Sequence, residues 1–233
     1  MAQDHHTVLT ASPTWLVWRD GARGAADNMA VDEGLLEAVA RWKRPVLRFY
    51  RWSEPAATFG YFQKYKEVEP MTALRPLVRR STGGGLVPHD ADWTYSLVFP
   101  PSADWYGLKA IDSYRGVHAW IKEAFARLGL ASELAPQRSV EQLGQCFVGA
   151  EQFDLVWNER KIAGAAQRRT KEGLLIQGSI QPPVGIHRAD WENAFLDSAG
   201  VQWQPLAIDE TFEARVRDLA GKKYSRPEYN QRR

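Results

Sequence analysis

The chain has 233 residues, 44% of them hydrophobic and 25% charged, which supplies apolar material for a sizeable core and excludes a disordered polyelectrolyte. A net charge of +2 is too small to indicate nucleic acid, and a single cysteine excludes an intramolecular disulfide framework and any multi-thiolate zinc site. The N-terminus lacks the cationic start and apolar run of a secretory signal, and no window reaches the roughly 18 apolar residues of a membrane span, so a cytoplasmic protein without membrane or nucleic-acid partners is expected.

Leu35, Leu36, Val39 and Trp42 recur at helical spacing and predict a helix over 28–42, with Asp27 or Asn28 as its cap and Pro45 beyond its end. VLRFYRW then alternates, with Leu47 and Phe49 on one face and Arg48 and Tyr50 on the other, and ATFGYF after Pro55 reads as a second strand paired with it. A glycine-rich stretch from Arg79 to Pro88 leads into WTYSLVF, whose aromatic and β-branched residues predict a buried strand. Val117, Trp120, Ile121, Ala124, Phe125 and Leu128 form one helical stripe, ended by Gly129.

FDLVW, RKIAGAAQRR and LLIQGSI follow, separated by Asn158-Glu159 and by Thr170 to Gly173, the spacing of an antiparallel meander. Two closing helices are expected near Trp191 to Asp197 and Glu210 to Lys222. No repeat, low-complexity tract or long linker interrupts the pattern, so residues 1–233 read as a single domain of mixed α and β structure.

Three segments could carry chemistry. In Arg79-Arg80-Ser81-Thr82-Gly83-Gly84-Gly85, closing with His89-Asp90, the glycines allow backbone N–H groups to approach an anionic or carbonyl oxygen, and the arginines add positive charge. An ordinary flexible turn explains such a run equally, and His89 is either a base or a loop-orienting group bonded to Asp90. Lys161 precedes the small residues Ala163 to Ala166, which leave room for a ligand whose carbonyl or phosphate an ammonium would neutralise; its other reading is a solvated charge. Cys146, beside Phe147, lies fifteen residues before Lys161 with one expected hairpin strand between them, a spacing that permits that ammonium to favour its thiolate. Near the end, Lys222, Lys223, Arg226, Arg232 and Arg233 form a basic cluster that reads as a solvated tail or as a docking patch for an acidic protein.

Together NMAVDEGLL, LRFYRW, GYFQK, RRSTGGGLVPHD, WTYSLV, CF, FDLV, KIAGAAQRR, QGSI and KYSRPEY, in this order over nearly the whole chain, resemble the lipoate-protein ligase A and octanoyltransferase family, which shares its catalytic fold with biotin protein ligases. The resemblance implies an α+β domain with a mixed, largely antiparallel sheet flanked by helices. It also implies an acyl-binding tunnel lined by the Gly loop and Lys161. On this basis Cys146 and Lys161 are the catalytic candidates. The substrate-binding candidates are Arg79, Arg80, Thr82, Gly83, Gly84, Gly85 and His89, with Gly164, Gln167 and Gly178 from the two later motifs.

Two activities of that family compete. Octanoyltransferases move octanoate from acyl carrier protein through a cysteine thioester to a lysine of a lipoyl-domain protein such as the glycine cleavage H protein, with no cofactor. Ligases use ATP to make an acyl-adenylate first. Cys146-Phe147, the KIAGAAQRR form of the lysine motif and the short distance from KYSRPEY to the end, with no accessory domain, favour the transferase. Gly85 is the ligase-like choice where similar transferases carry arginine, and Gln177 stands where both groups commonly have histidine. A third reading is a non-catalytic paralogue that binds acyl-carrier or lipoyl domains.

Overall fold

The computed structural model of the chain describes residues 13–137 and 149–232. In order, the elements are β1 (Thr14–Arg23), α1 (Ala25–Trp42), β2 (Val46–Trp52), β3 (Ala56–Phe59), α2 (Tyr65–Val68), β4 (Leu77–Arg79), β5 (Val87–His89) and β6 (Trp93–Phe99). They continue with α3 (Asp104–Gly107), α4 (Ala110–Arg127), β7 (Glu133–Leu134), β8 (Leu155–Trp157), β9 (Arg160–Thr170) and β10 (Gly173–Ile180). The last are α5 (Arg188–Asp197), β11 (Gln202–Pro205), α6 (Glu210–Leu219), a wider π-helical turn over Ala220–Tyr224, and α7 (Pro227–Asn230).

An eight-stranded sheet runs in the order β11-β1-β2-β6-β10-β9-β8-β7. β1 pairs in parallel with β11 and β2, and the remaining neighbours are antiparallel, so the expected mixed, largely antiparallel sheet is present. Alternation along β6 and β10 sorts side chains onto two cores. Val98 and Leu175 pack with α1 and α6, whereas Leu97, Leu174 and Ile176 pack with α4 and α5. Because helices cover both faces, every residue of β6 and of β10 is buried. A second sheet, β4-β3-β5, carries a smaller core of Ala57, Phe59, Val68, Leu77 and Leu86.

Several local expectations are met for the reasons stated. Gly129 takes φ +80°, and the N–H groups of Gly129 and Leu130 bond to Ala126 and Phe125, closing α4 with a left-handed glycine cap. The β8–β9 turn places Asn158 and Glu159 at φ 49° and 61°, the left-handed pair that matches strand twist in a two-residue hairpin.

Two expectations are corrected, and two strands were not expected. Neither Asp27 nor Asn28 caps α1: Gly24 holds that position without a side-chain bond, while buried Asn28 donates to the carbonyls of Arg23 and Arg51. β2 and β3 are not paired, because β2 lies between β1 and β6 and β3 starts the smaller sheet. β1 and β11 carried no clear period; a register irregularity between Arg19 and Ala22 breaks the alternation of β1. Among the described residues, no helix is long and apolar enough to cross a membrane.

Candidate active site

Strands β9 and β10 and residues on either side of the glycine loop enclose a narrow slot with about 30 Å³ of free space, lined among others by Met29, Thr58, Arg80, His89, Gly164, Ala165, Ala166, Gln177 and Gly178; the predicted Thr82, Gly83, Gly84 and Gly85 are not in its lining. Many of these residues are polar, yet the surface they present is mostly apolar. The reason is that their polar atoms are turned toward one another.

Arg80 Nη1 donates to Thr58 Oγ1 at 2.8 Å, and its Nη2 donates to the carbonyls of Gly83 and Gly85 at 3.0 and 2.8 Å. Thr58 Oγ1 lies 2.7 Å from His89 Nε2, and His89 Nδ1 lies 2.9 Å from Asp92 Oδ2. With Arg80 already donating to Thr58, the Thr58 proton is left for Nε2, which puts the imidazole proton on Nδ1 facing Asp92. His89 is thus a loop-orienting group, and its partner is Asp92; Asp90 is exposed. Ser179 Oγ also donates to Asp92 Oδ2, at 2.6 Å.

A second buried hub is Asp32 on α1, which is fully buried. Its Oδ1 accepts from Arg48 and Ser96, both at 2.8 Å, and its Oδ2 from Tyr50 at 3.1 Å and Gln177 at 2.7 Å. Burial, then the Asp32 charge, raises the Tyr50 hydroxyl well above its ordinary pKa, so it remains a donor. Gln177 also accepts from Thr82 Oγ1 at 2.7 Å. Its amide therefore bridges the glycine loop to α1, with one end serving as donor and the other as acceptor, which a carboxylate in the same place could not do.

Within the loop itself, Gly84 has φ +85°, and a Cβ on Gly60 would lie 1.9 Å from the Gly84 carbonyl oxygen. Close backbone contact is therefore what glycine permits at both positions. Arg79 is brought in differently from Arg80. Fully buried, it donates to the carbonyls of Tyr61, Gln63, Tyr229 and Asn230, and it does not line the slot.

Lys161 stands at the β9 wall. The β8–β9 register shifts between Leu155 and Val156, inserting an extra residue on β9 that re-aims Lys161. Its side chain crosses the space beside Gly164, where a Cβ would meet Lys161 Cε at 2.7 Å. Lys161 Nζ lies 2.7 Å from Asp154 Oδ2, with side-chain exposures of 6% and 0%, so it is not a solvated charge. Asp154 also accepts from the Tyr114 hydroxyl and, at 2.6 Å, from Glu151 N–H. Gln167 faces elsewhere: its Nε2 donates to Ala110 O at 2.8 Å and its Oε1 accepts from Ser113, tying β9 to the start of α4. Cys146 and Phe147 lie outside the described residues.

Behind Lys161, fully buried His118 donates from Nδ1 to Tyr114 O at 3.0 Å, and its Nε2 has no hydrogen-bond partner among the described residues. Burial lowers its pKa to about 4, with Asp154 opposing and Lys161 assisting the shift. The folded state thus holds neutral imidazole while the unfolded chain binds a proton near pH 6.5. Stability contributed by this group is full above about pH 6.5 and is lost as pH falls toward 4, by about 3 kcal/mol. Urea unfolding of His118→Gln is expected to show a correspondingly shallower loss of stability across that window. An unchanged slope would remove His118 as its source.

Sequence reasoning did not anticipate Asp32, Asp92, Tyr114 or Asp154. Asp154 sat in the quoted FDLV stretch, but nothing in its spacing marked it as the partner of Lys161.

A model of the lipoyl protein ligase A/B catalytic domain matches residues 24–182. The octanoyltransferase LipM of Staphylococcus aureus strain NCTC 8325 is 34% identical over 186 residues, covering 74% of this chain and 67% of that protein. A protein of the same name from Anoxybacillus flavithermus is 36% identical over 180 residues, covering 70% and 65%. Among solved structures, the Thermoplasma acidophilum protein Ta0514 with bound lipoic acid superposes with a TM-score of 0.75 at 23% identity, over 95% of this chain and 100% of that one, a likeness of fold.

Proposed function

The chain belongs to the lipoyl protein ligase A/B catalytic-domain family, and from that membership we propose that it is a cytoplasmic octanoyltransferase of lipoate biosynthesis. The observation that carries the reading is Lys161, buried on Asp154 beside Gly164 at the wall of an apolar-surfaced slot. A fixed ammonium at the edge of an apolar bore suits a thioester, whose alkyl chain needs the slot and whose carbonyl oxygen needs the charge. The identity to proteins named octanoyltransferase supports the acyl chain and the reaction type.

In the first step the Cys146 thiolate attacks the carbonyl carbon of octanoyl acyl carrier protein. A carbon–sulfur bond to Cys146 forms, the bond to the carrier sulfur breaks, and the carrier leaves as a thiolate that takes up the proton Cys146 gave up on ionising. In the second step the neutral amine of a lipoyl-domain lysine, as in the glycine cleavage H protein, attacks that thioester. The amide forms, the Cys146 sulfur leaves, and the amine proton returns to it. Lys161 stabilises the oxyanion in both steps. The acyl group arrives activated as a thioester, so this chemistry requires neither nucleotide nor metal.

Intact-protein mass spectrometry after mixing with octanoyl acyl carrier protein, ATP withheld, tests the reading. Wild type is expected to gain one octanoyl adduct and Cys146→Ala none, with transfer to the lipoyl domain lost in the variant. Full transfer by Cys146→Ala would overturn the thioester mechanism. Gly85 favours the second reading, an ATP-dependent lipoate ligase, which predicts lipoylation that needs ATP and survives Cys146→Ala.

A further inference from the structure

Phe62 is 74% exposed, an unusual position for a large apolar ring. It sits at the tip of a tight turn in which Gln63 N–H bonds to Gly60 O at 3.1 Å and Gly60 N–H to Gln63 Oε1 at 2.9 Å. The buried Arg79 guanidinium fastens the turn from beneath, donating to the carbonyls of Tyr61 at 2.8 Å and Gln63 at 2.6 Å. Tyr61 N–H bonds to Thr82 O at 2.8 Å, which joins the turn to the glycine loop beside the slot. Phe62 is therefore exposed and at the same time held, so that ordering it costs little when something binds.

Positive charge lies on the far side of its neighbour Tyr61. Tyr61 packs edge-on against Phe62 at 5.1 Å, and the guanidiniums of Arg232 and Arg168 lie 4.3 and 6.0 Å from the Tyr61 ring. Arg232 also lies 4.8 Å from the ring of Tyr229. Neither Arg168 nor Arg232 forms a close salt bridge among the described residues, although the charge of Arg168 reaches Glu172. Stacking on an aromatic face leaves the guanidinium edge donors pointing outward. Arg168 follows Ala166 of the slot wall by two residues on β9, hence on the same side of the strand. Arg226 extends the positive surface past Arg232, opposed by Glu228, while Lys222 is paired with Asp218.

We propose that the Phe62 turn with Arg168 and Arg232 is the docking surface for the protein that delivers the acyl thioester, a small domain with an acidic face around an apolar spot. This inference rests on the transferase reading. A protruding aromatic anchor with arginine nearby is the pattern of an interface hot spot, whereas a small ligand would need a concavity. These guanidiniums, neither of them in a close salt bridge among the described residues, select a negative partner and steer it to the slot.

The test separates docking from chemistry. Binding of octanoyl acyl carrier protein to the Cys146→Ala chain is measured by titration calorimetry, and acyl transfer is measured with carrier-borne donor and with octanoyl-pantetheine. Phe62→Ala and the double variant Arg168→Glu/Arg232→Glu are each expected to weaken carrier binding tenfold or more and raise KM for the carrier-borne donor. Transfer from octanoyl-pantetheine should be unchanged, and carrier binding by the unsubstituted surface should weaken with salt. Unchanged carrier binding, an equal fall with both donors, or a rise confined to the KM of the lipoyl-domain acceptor would overturn the assignment. If the carrier binds with the expected dependence but no acyl group is transferred, the transferase reading fails and the docking surface stands.

Discussion

Asp154→Ala is expected to lower the free energy of unfolding by about 3–5 kcal/mol, the cost of removing one partner from a buried ion pair, and to abolish acyl transfer. Asp154 is inaccessible to solvent and Lys161 nearly so. Deleting the carboxylate leaves a desolvated ammonium without its counter-charge and takes from Tyr114 and the Glu151 N–H the oxygen atoms they bond. Urea denaturation gives the stability and a single-turnover acyl-transfer assay gives the rate.

The double variant Asp154→Ala/Lys161→Met separates the two effects. With both charges gone, the desolvation cost that the single variant exposes disappears, so much of the lost stability should return. Activity should not return, because the group that stabilises the oxyanion is missing. Recovered transfer in the double variant would show that Lys161 has no part in the chemistry.

Gly178→Ala is expected to destabilise the fold by about 3 kcal/mol or more, the upper end of what overpacking costs. Its new Cβ would lie 2.1 Å from Tyr95 Cζ and 2.2 Å from the Tyr95 hydroxyl. Gly178 and Tyr95 are paired residues of adjacent strands in the interior of the sheet, so neither backbone can retreat. The Tyr95 ring cannot swing aside, since it is fully buried against Trp191 and Phe195. Transfer should fall as well, because Gln177 and Ser179 on either side of Gly178 line the slot.

Replacing Tyr95 by a smaller residue removes the obstacle. Tyr95→Val in the Gly178→Ala background is therefore expected to recover part of the stability, measured by thermal and urea unfolding. The Tyr95 hydroxyl has no hydrogen-bond partner among the described residues, so its loss strands none of them. A Gly178→Ala chain as stable as wild type would mean that β10 and β6 are not packed as described.

Much of this architecture is legible in short stretches of sequence. The Val117 to Phe125 stripe is buried on α4, WTYSLVF is a strand buried on both faces, and the three segments of the meander form β8, β9 and β10 around the turns expected. Arg80 before the glycine loop and Gly164 of the KIAGAAQRR motif also line one slot. Each of these features depends on a local period, a turn residue or a contiguous motif, and those interactions act within a few residues.

Other features depend on partners distant in the chain. Whether β3 pairs with β2 or founds another sheet is decided by which strand edges remain after β1 and β6 have flanked β2. That Arg79 serves the turn and Arg80 the slot follows from where Asn230 and Thr58 arrive in space. Polar residues such as Asp32, Asp92, Gln177 and His118 have no hydrophobic period, and a buried one is held by whichever donors and acceptors the fold brings to it. The glycine loop and the KIAGAAQRR motif thus marked in the sequence where the chemistry would be sought. The tertiary structure alone determined how Lys161 is held, because a bulge on β9 aims the lysine and the carboxylate that holds it is oriented by Tyr114 from α4 and by the Glu151 N–H.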